Sequence, residues 1–150
     1  MPTASCPAPA EIDRWTAPEA IISLLKSAKV IAVFGLSTDS EKDSHRVAAY
    51  LQAAGYKIIP IHPKAREILG EPCFPSLAPA PHADIVDCFR PSDELPGIVD
   101  QAIAAGASAV WFQLGLMDAD AARRAESAGL TVIVDRCAKV EHARLLGPQR

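Results

Sequence analysis

The chain has 150 residues, with 15 Lys plus Arg against 18 Asp plus Glu and a formal net charge of −3. That length predicts one domain, and a composition 49% hydrophobic and 22% charged excludes a disordered chain. The small net charge disfavours a nucleic-acid binder, which would carry a basic excess, but leaves room for a local anion site.

Residues 1–17 hold Pro2, Pro7 and Pro9 and little periodicity, and read as an N-terminal tail. Ile21, Ile22, Leu24 and Leu25 then mark a helix, with Lys26 and Lys29 suiting its carboxyl end. Next comes the apolar run 30–34, too short for a helix, ending in Gly35-Leu36-Ser37. Four more runs follow at 58–61, 85–89, 109–114 and 130–134, with room for a helix between successive strands. Runs that are apolar on both faces suit a parallel sheet covered on both sides.

The intervening segments fit helices. Val47, Tyr50, Leu51 and Ala54 form one helical face; Leu95, Ile98, Val99, Ala102 and Ile103 form another, opened by Ser92 with Asp93 and Glu94. A third helix over 118–128 carries an alanine stripe at Ala121, Ala122, Ala125 and Ala128. Each ends in Ala-Gly, at Gly55, Gly106 and Gly129, the glycine taking the left-handed turn that stops a helix. Residues 63–83 break this rhythm with Pro63, Pro72, Pro75, Pro79 and Pro81; a short helix is expected near 66–69 and a short strand around 73–74. A last helix is expected over 139–146, and 147–150 as a C-terminal tail. Residues 18–146 are therefore expected to form one α/β domain: a three-layer, doubly wound parallel sheet, Rossmann-like, with ligands bound beyond the carboxyl ends of the strands.

No apolar run approaches the roughly 20 residues that span a bilayer. Met1–Ala10 lacks the basic and apolar regions of a signal peptide, so a cytoplasmic protein with no membrane contact is expected. Cys6, Cys73, Cys88 and Cys137 contain no C-x-x-C pair; reduced thiols and no metal site are the reading.

The loop after the first strand carries most of the information about a ligand. A dinucleotide fingerprint reads G-x-G-x-x-G straight into a helix, whereas Gly35 stands alone, followed by Leu36, Ser37, Thr38 and a longer loop. A helix expected to open at Ser44 would still offer free N–H groups to an anion, with Ser44 as cap and Lys42, His45 and Arg46 adding charge. Lys42 as a solvated loop lysine is the plain alternative. The second strand runs into His62-Pro63-Lys64, where an NAD site wants an acid for the ribose. A lysine there suits a phosphorylated ribose, that of NADP or of coenzyme A. Phe89 and Arg90 end the third strand, Phe89 as core and Arg90 as a phosphate partner or a surface arginine. Gln113 and Gly115 fall where the chain leaves the fourth strand, beside the core pair Trp111 and Phe112. Asp84 and Asp87 are expected to be held by backbone donors. Cys137 is expected to be a structural thiol in a turn held by an Asp135–Arg136 polar pair, and Glu141-His142 a surface or packing pair.

Six segments together carry a resemblance: Val33-Phe34-Gly35-Leu36-Ser37, Ser44-His45-Arg46-Val47-Ala48-Ala49-Tyr50-Leu51, Ile59-Pro60-Ile61-His62-Pro63-Lys64, Val86-Asp87-Cys88-Phe89-Arg90, Trp111-Phe112-Gln113-Leu114-Gly115 and Asp135-Arg136-Cys137-Ala138-Lys139-Val140-Glu141-His142. The chain resembles the small stand-alone CoA-binding proteins of bacteria and archaea, whose Rossmann-like domain is similar to that of the succinyl-CoA synthetase α subunit. The resemblance implies coenzyme A or an acyl-CoA as ligand, with residues 37–46 at the pantetheine and pyrophosphate, Lys64 at the phosphorylated ribose, and Arg90 and Gln113 lining the crevice. His62 departs from the family's usual asparagine, and Ala138 from a common proline. The synthetase's phosphoryl-transferring histidine lies outside this domain, so catalysis does not carry over. The expected function is non-catalytic binding of coenzyme A or an acyl-CoA. The alternatives are an NADP-linked oxidoreductase fragment and a regulatory or interaction domain with a decayed cleft. A homo-oligomer or a protein partner is left open, and no nucleic acid is expected. The best enzymatic arrangement that the sequence offers is Cys137 paired with His142.

Overall fold

The computed structural model describes residues 6–147, so residues 1–5 and 148–150 of the expected tails lie outside the described residues. Five strands, β1 (Val30–Phe34), β2 (Lys57–Ile61), β5 (Ile85–Cys88), β6 (Ala109–Phe112) and β7 (Thr131–Ile133), form one sheet in the order β2-β1-β5-β6-β7. Every pairing is parallel, with Ala32 opposite Ile59 and Val86, and Val86 opposite Val110. All five carboxyl ends therefore share one edge. β1 is flanked by β2 on one side and β5 on the other, so the strand order reverses at the β1–β5 boundary.

Helices cover both faces, as the apolar runs require. α2 (Pro18–Ser27), α3 (Asp43–Ala53) and α6 (Ala138–Leu146) bury Ile21, Leu25, Val47 and Leu51 against Ile31, Val33, Trp111 and Ile133. α4 (Leu95–Ala104) and α5 (Ala119–Ser127) bury Leu95, Val99, Ala121 and Ala125 against Ala32, Val86, Val110 and Phe112. Consecutive strand residues thus feed opposite cores. Of the expected alanine stripe, Ala121, Ala122 and Ala125 are fully buried on α5, whereas Ala128 follows the helix and is exposed; Asp118 caps the helix by accepting the Ala121 amide at 2.9 Å. Gly55, Gly106 and Gly129 follow their helices with φ of 111°, 74° and 94°. Pro60 is tolerated because β2 is an edge strand: its carbonyl accepts from Phe74 on the outer side, the side to which its missing N–H also points.

Two expectations are corrected. Residues 9–15 are not tail: α1 (Pro9–Trp15) is a helix, and Trp15 is 1% exposed in the core of the α4–α5 face. Pro9 breaks nothing, because it stands at the start of the helix, where a proline's lost N–H is one that no helix bond would use. Glu11 accepts the Ala8 amide and pairs with Arg123, while Arg14 pairs with Glu126. The helix expected near 66–69 is instead a hairpin, β3 (Glu67–Ile68) with β4 (Glu71–Pro72). Its two-residue turn, Leu69-Gly70, has φ of 56° and 76°, the paired positive values of a tight hairpin turn that a helix cannot hold. Phe74 bridges in parallel to Ile61, close to the expected short strand. Among the described residues no helix is long and apolar enough to cross a membrane.

Candidate functional site

The crevice begins where β1 stops. Gly35 donates to the Ile61 carbonyl at 3.1 Å, and the Phe34 carbonyl accepts from Phe89 at 2.9 Å, so this corner ties the ends of β2 and β5 together. Gly35 has φ of 92°, and an added Cβ would meet Arg90 Cδ at 2.8 Å. The loop beyond it is braced internally. The Ser37 hydroxyl accepts from Asp39 N, the Asp39 carboxylate accepts from Glu41 N, and the buried Ser44 hydroxyl accepts the Ser37 amide at 3.0 Å.

That last bond corrects the expectation for Ser44. α3 opens one residue earlier, at Asp43 after Lys42, and Ser44 does not cap it because its hydroxyl is turned to the loop. The Asp43 and Ser44 amides meet no acceptor among the described residues, which leaves a helix amino end bare of a side-chain cap. Arg46 folds over this end, donating to the Glu41 carbonyl at 2.6 Å and to Asp43 at 2.7 Å.

Two hollows border the segment 35–46, one at its start and one at the first turns of α3. One of about 450 Å³ is lined by Gly35, Leu36, Ser37, His62, Pro63 and Arg90. The other, about 420 Å³, lies between α3 and α6 and is lined in part by Arg46, Phe89, Gln113, Cys137 and Lys139. Thr38, Lys42, Ser44, His45, Lys64 and Gly115 line neither hollow. Ser44 and His45 lie in the first turn of α3 and the others on loops, where Thr38, Lys42, Lys64 and Gly115 are exposed. Ser37, His62, Arg90 and Gln113 each follow the carboxyl end of a different parallel strand, so all four share one edge of the sheet. Arg90 holds Glu94 through two hydrogen bonds, at 3.0 and 2.8 Å.

The model of the family described as "CoA binding domain" matches residues 29–143. The chain belongs to the CoA binding domain family. It is 40% identical over 124 residues to the Bacillus subtilis (strain 168) protein named "Uncharacterized protein YneT", covering 82% of this chain and 92% of that one. It is 32% identical over 74 residues to "Acetate--CoA ligase [ADP-forming] I" of Archaeoglobus fulgidus, a match covering 49% of this chain and 11% of that enzyme. A solved structure titled "hypothetical protein from Pyrococcus horikoshii OT3" superposes with a TM-score of 0.83 at 39% identity, covering 87% of this chain and 93% of that one.

The carboxyl edge of this CoA binding domain carries several groups able to donate to an anion. Bare amides open α3; Arg46 and Lys139 line one hollow with Asp43, which pairs with Arg46, and Arg90 lines the other with its partner Glu94, while the exposed Lys42 and Lys64 stand outside both. His62 takes over a turn function open to asparagine. Its Nδ1 accepts from Lys64 N at 3.0 Å and Ala65 N at 2.9 Å, the bonds that an Asn side-chain oxygen makes to the amides that follow it. Ala138 is the first residue of α6, a position that proline stiffens but does not need.

Two sequence readings of polar strand residues part company. Asp84, at the opposite edge of the sheet, accepts from Lys29 N and Val30 N, and these backbone donors hold its carboxyl below the usual range. Asp87 is not held in that way. It is completely buried on β5; Gln113 Nε2 donates to its Oδ1 at 2.5 Å, and Oδ2 has no partner. Desolvation lifts its carboxyl to about 7, against the lowering effect of Gln113. The sequence signal was an acid inside the apolar run Ile85-Val86-Asp87-Cys88.

The turn before α6 also differs from expectation. The Asp135 carboxylate accepts from Gly115 N at 2.6 Å, while the Arg136 guanidinium donates to the Asp135 backbone carbonyl, so the two side chains do not pair. Asp135 has φ of 54°, and the Trp111 indole donates to the Arg136 carbonyl at 2.8 Å. The Cys137–His142 pair is not formed. His142 is 1% exposed, its Nδ1 lies 2.9 Å from the Tyr50 hydroxyl, and its ring meets Tyr50 and Tyr56 edge-on. Burial lowers its pKa. Glu141 is likewise buried rather than at the surface, paired with Arg144 at 2.6 Å. No group of three metal-ligating side chains occurs among the described residues.

Proposed function

We propose that the chain binds coenzyme A or an acyl-CoA along the carboxyl edge of its sheet without turning it over. One observation carries the reading: a hollow of about 450 Å³ lined by Gly35, Leu36 and Ser37 and another of about 420 Å³ lined by Asp43 and Arg46 border the two ends of the segment 35–46, whose helix opens without a side-chain cap. A long ligand with phosphates in its middle and an amide-containing arm suits that arrangement better than a compact one. In this reading the segment Ser37–Arg46 faces the pyrophosphate and pantetheine, including Ser37, Thr38, Lys42, Ser44, His45 and Arg46. His62, Pro63 and Lys64 flank the phosphorylated ribose. Gly35, Leu36, Phe89, Arg90, Gln113 and Gly115 complete the walls.

The side chains support binding over turnover in one respect. Hydrolysis or acyl transfer needs a nucleophile with an adjacent base, or an activated water. The histidine that would have served Cys137 is bonded to Tyr50.

The test is calorimetry with CoA, acetyl-CoA, dephospho-CoA, NADP and ADP, on the wild type and Lys64→Ala. CoA is expected to bind more tightly than dephospho-CoA, by about 1.5–3 kcal/mol for a charge-assisted phosphate contact, and Lys64→Ala to erase the difference. Preference for NADP over CoA would overturn the reading. Release of free thiol from acetyl-CoA, above background, would make the chain an enzyme.

A further inference from the structure

We propose that Cys137 exchanges with CoA disulfides, so that the chain can hold CoA as a mixed disulfide. The proposal rests on the CoA-binding reading above and adds to it a covalent site. Cys137 is partly exposed at the start of α6 and lines the hollow between α3 and α6. That hollow carries apolar wall from Val47 and Phe89 and a net positive charge, Lys139 adding to an Arg46 that pairs with Asp43. An amide-containing thiol arm that ends in an anionic nucleotide has the same two characters.

Gln113 supplies the independent sign of a ligand. Its side chain is 4% exposed, yet it lines the same hollow. Its Nε2 is committed to Asp87, and its Oε1 has no hydrogen-bond partner among the described residues. Asp87 Oδ2 is the sole fully buried polar side-chain atom without a partner among those residues, so Gln113 Oε1 reaches open space. A buried acceptor held by its own nitrogen and open to a hollow is placed to take an N–H donor, such as the amides of a pantetheine arm. That contact would bring the arm's sulfur end into the hollow that Cys137 lines.

The other cysteines do not share this setting. Cys88 is completely buried, and burial together with Asp87 pushes its thiol well up. Cys73 lies outside the hollow, its thiol raised by burial and by Glu67. Cys6 is exposed and also lies outside it.

The exchange balances without another oxidant. Deprotonated Cys137 Sγ attacks one sulfur of CoA–S–S–CoA. The Sγ–S bond forms as the S–S bond breaks, and one CoA leaves as a thiolate that takes up the proton Cys137 lost.

The experiment incubates the reduced full-length protein with CoA disulfide or, in parallel, glutathione disulfide, and follows intact mass and peptide maps. The expected result is one CoA adduct on Cys137, released by dithiothreitol and formed about tenfold or more faster than the glutathione adduct, because the charged hollow concentrates its own ligand. Excess reduced CoA should slow the adduct in the wild type. Cys137→Ser should abolish it, Gln113→Ala should slow it, and Cys6→Ser should leave it unchanged. An adduct mainly on Cys6, or equal rates with both disulfides, overturns the proposal. Calorimetry on the wild type separates the two readings. Tight binding of reduced CoA without a Cys137 adduct sinks the exchange alone, whereas no CoA binding sinks the function on which it rests.

Discussion

A Cβ on Gly35 would stand 2.8 Å from Cδ of Arg90 and 3.2 Å from the Phe89 carbonyl oxygen. The ends of β1 and β5 therefore approach closely, and the Arg90 stem lies where a side chain at this position would go. Arg90 is held there by Glu94, 2.8 Å away. The corner where the strand order reverses is thus set by one glycine and one ion pair, at the mouth of the larger hollow.

Gly35→Ala is predicted to destabilise the fold. The left-handed backbone costs a non-glycine residue roughly 1–2 kcal/mol, and overpacking adds about 1–3 kcal/mol unless Arg90 swings away. Urea unfolding measures the sum, and calorimetry with CoA measures the effect on the crevice. An unchanged midpoint would show that Arg90 yields freely and that the corner is not tightly built.

Ser44→Ala is predicted to loosen the loop while leaving α3 intact. The lost partner is the acceptor of the Ser37 amide, 3.0 Å away, and leaving such a donor unpaired costs about 1–3 kcal/mol. The readouts are faster hydrogen exchange at Ser37 and weaker CoA binding, with helix content by circular dichroism unchanged. Exchange at Ser37 as slow as in the wild type would remove this role.

The sheet was legible because parallel strands buried on both faces leave apolar runs with no alternation, and because Gly55, Gly106 and Gly129 each mark a helix end. What was missed depended on local geometry or on distant partners. Pro9 looked like a breaker, yet at the first helical position it favours a helix, and nothing linear announced that Trp15 would reach the core. The Leu69-Gly70 turn was hidden because leucine at positive φ is unusual. The segments around the crevice were found by their positions after strand ends, but their bonds were not. Ser44 turning to Ser37, and Gln113 reaching Asp87 from the neighbouring strand, are set by tertiary packing across 7 and 26 residues of sequence. Cys137 was readable as a thiol in a turn; its place in a hollow with Gln113 depends on how α6 docks.

Trp15→Ala is predicted to be severe, although Trp15 lies before the segment that the family model matches. The indole is 1% exposed, its Nε1 donates to Glu126 at 3.3 Å, and its carbonyl accepts the Val134 amide at 3.1 Å. Truncating a buried tryptophan costs about 3–5 kcal/mol. Thermal unfolding checks this, and a loss below about 1 kcal/mol would mean that α1 is not part of the cooperative unit.

Asp87→Asn is predicted to change how stability depends on pH. The folded carboxyl is raised from 3.8 to about 7 by burial. Between those values the folded chain keeps a proton that the unfolded chain has released, so this group's contribution to stability falls as pH rises, by at most about 1.4 kcal/mol per unit. Below the lower value and above the upper one the contribution is flat. Glu11, held down at about 2 mainly by its hydrogen bond from Arg123, acts in the opposite direction, as do Asp84, Glu94 and Glu126, whose carboxyls are also lowered. These groups are common to both proteins and cancel in the difference between them. Asparagine has no proton to lose, and its oxygen can still accept from Gln113. The wild type should therefore be most stable relative to the variant near pH 4, with the gap closing, or changing sign, toward pH 7. Paired thermal melts across that range measure it. A gap that stays constant would mean that Asp87 does not hold its proton in the folded chain.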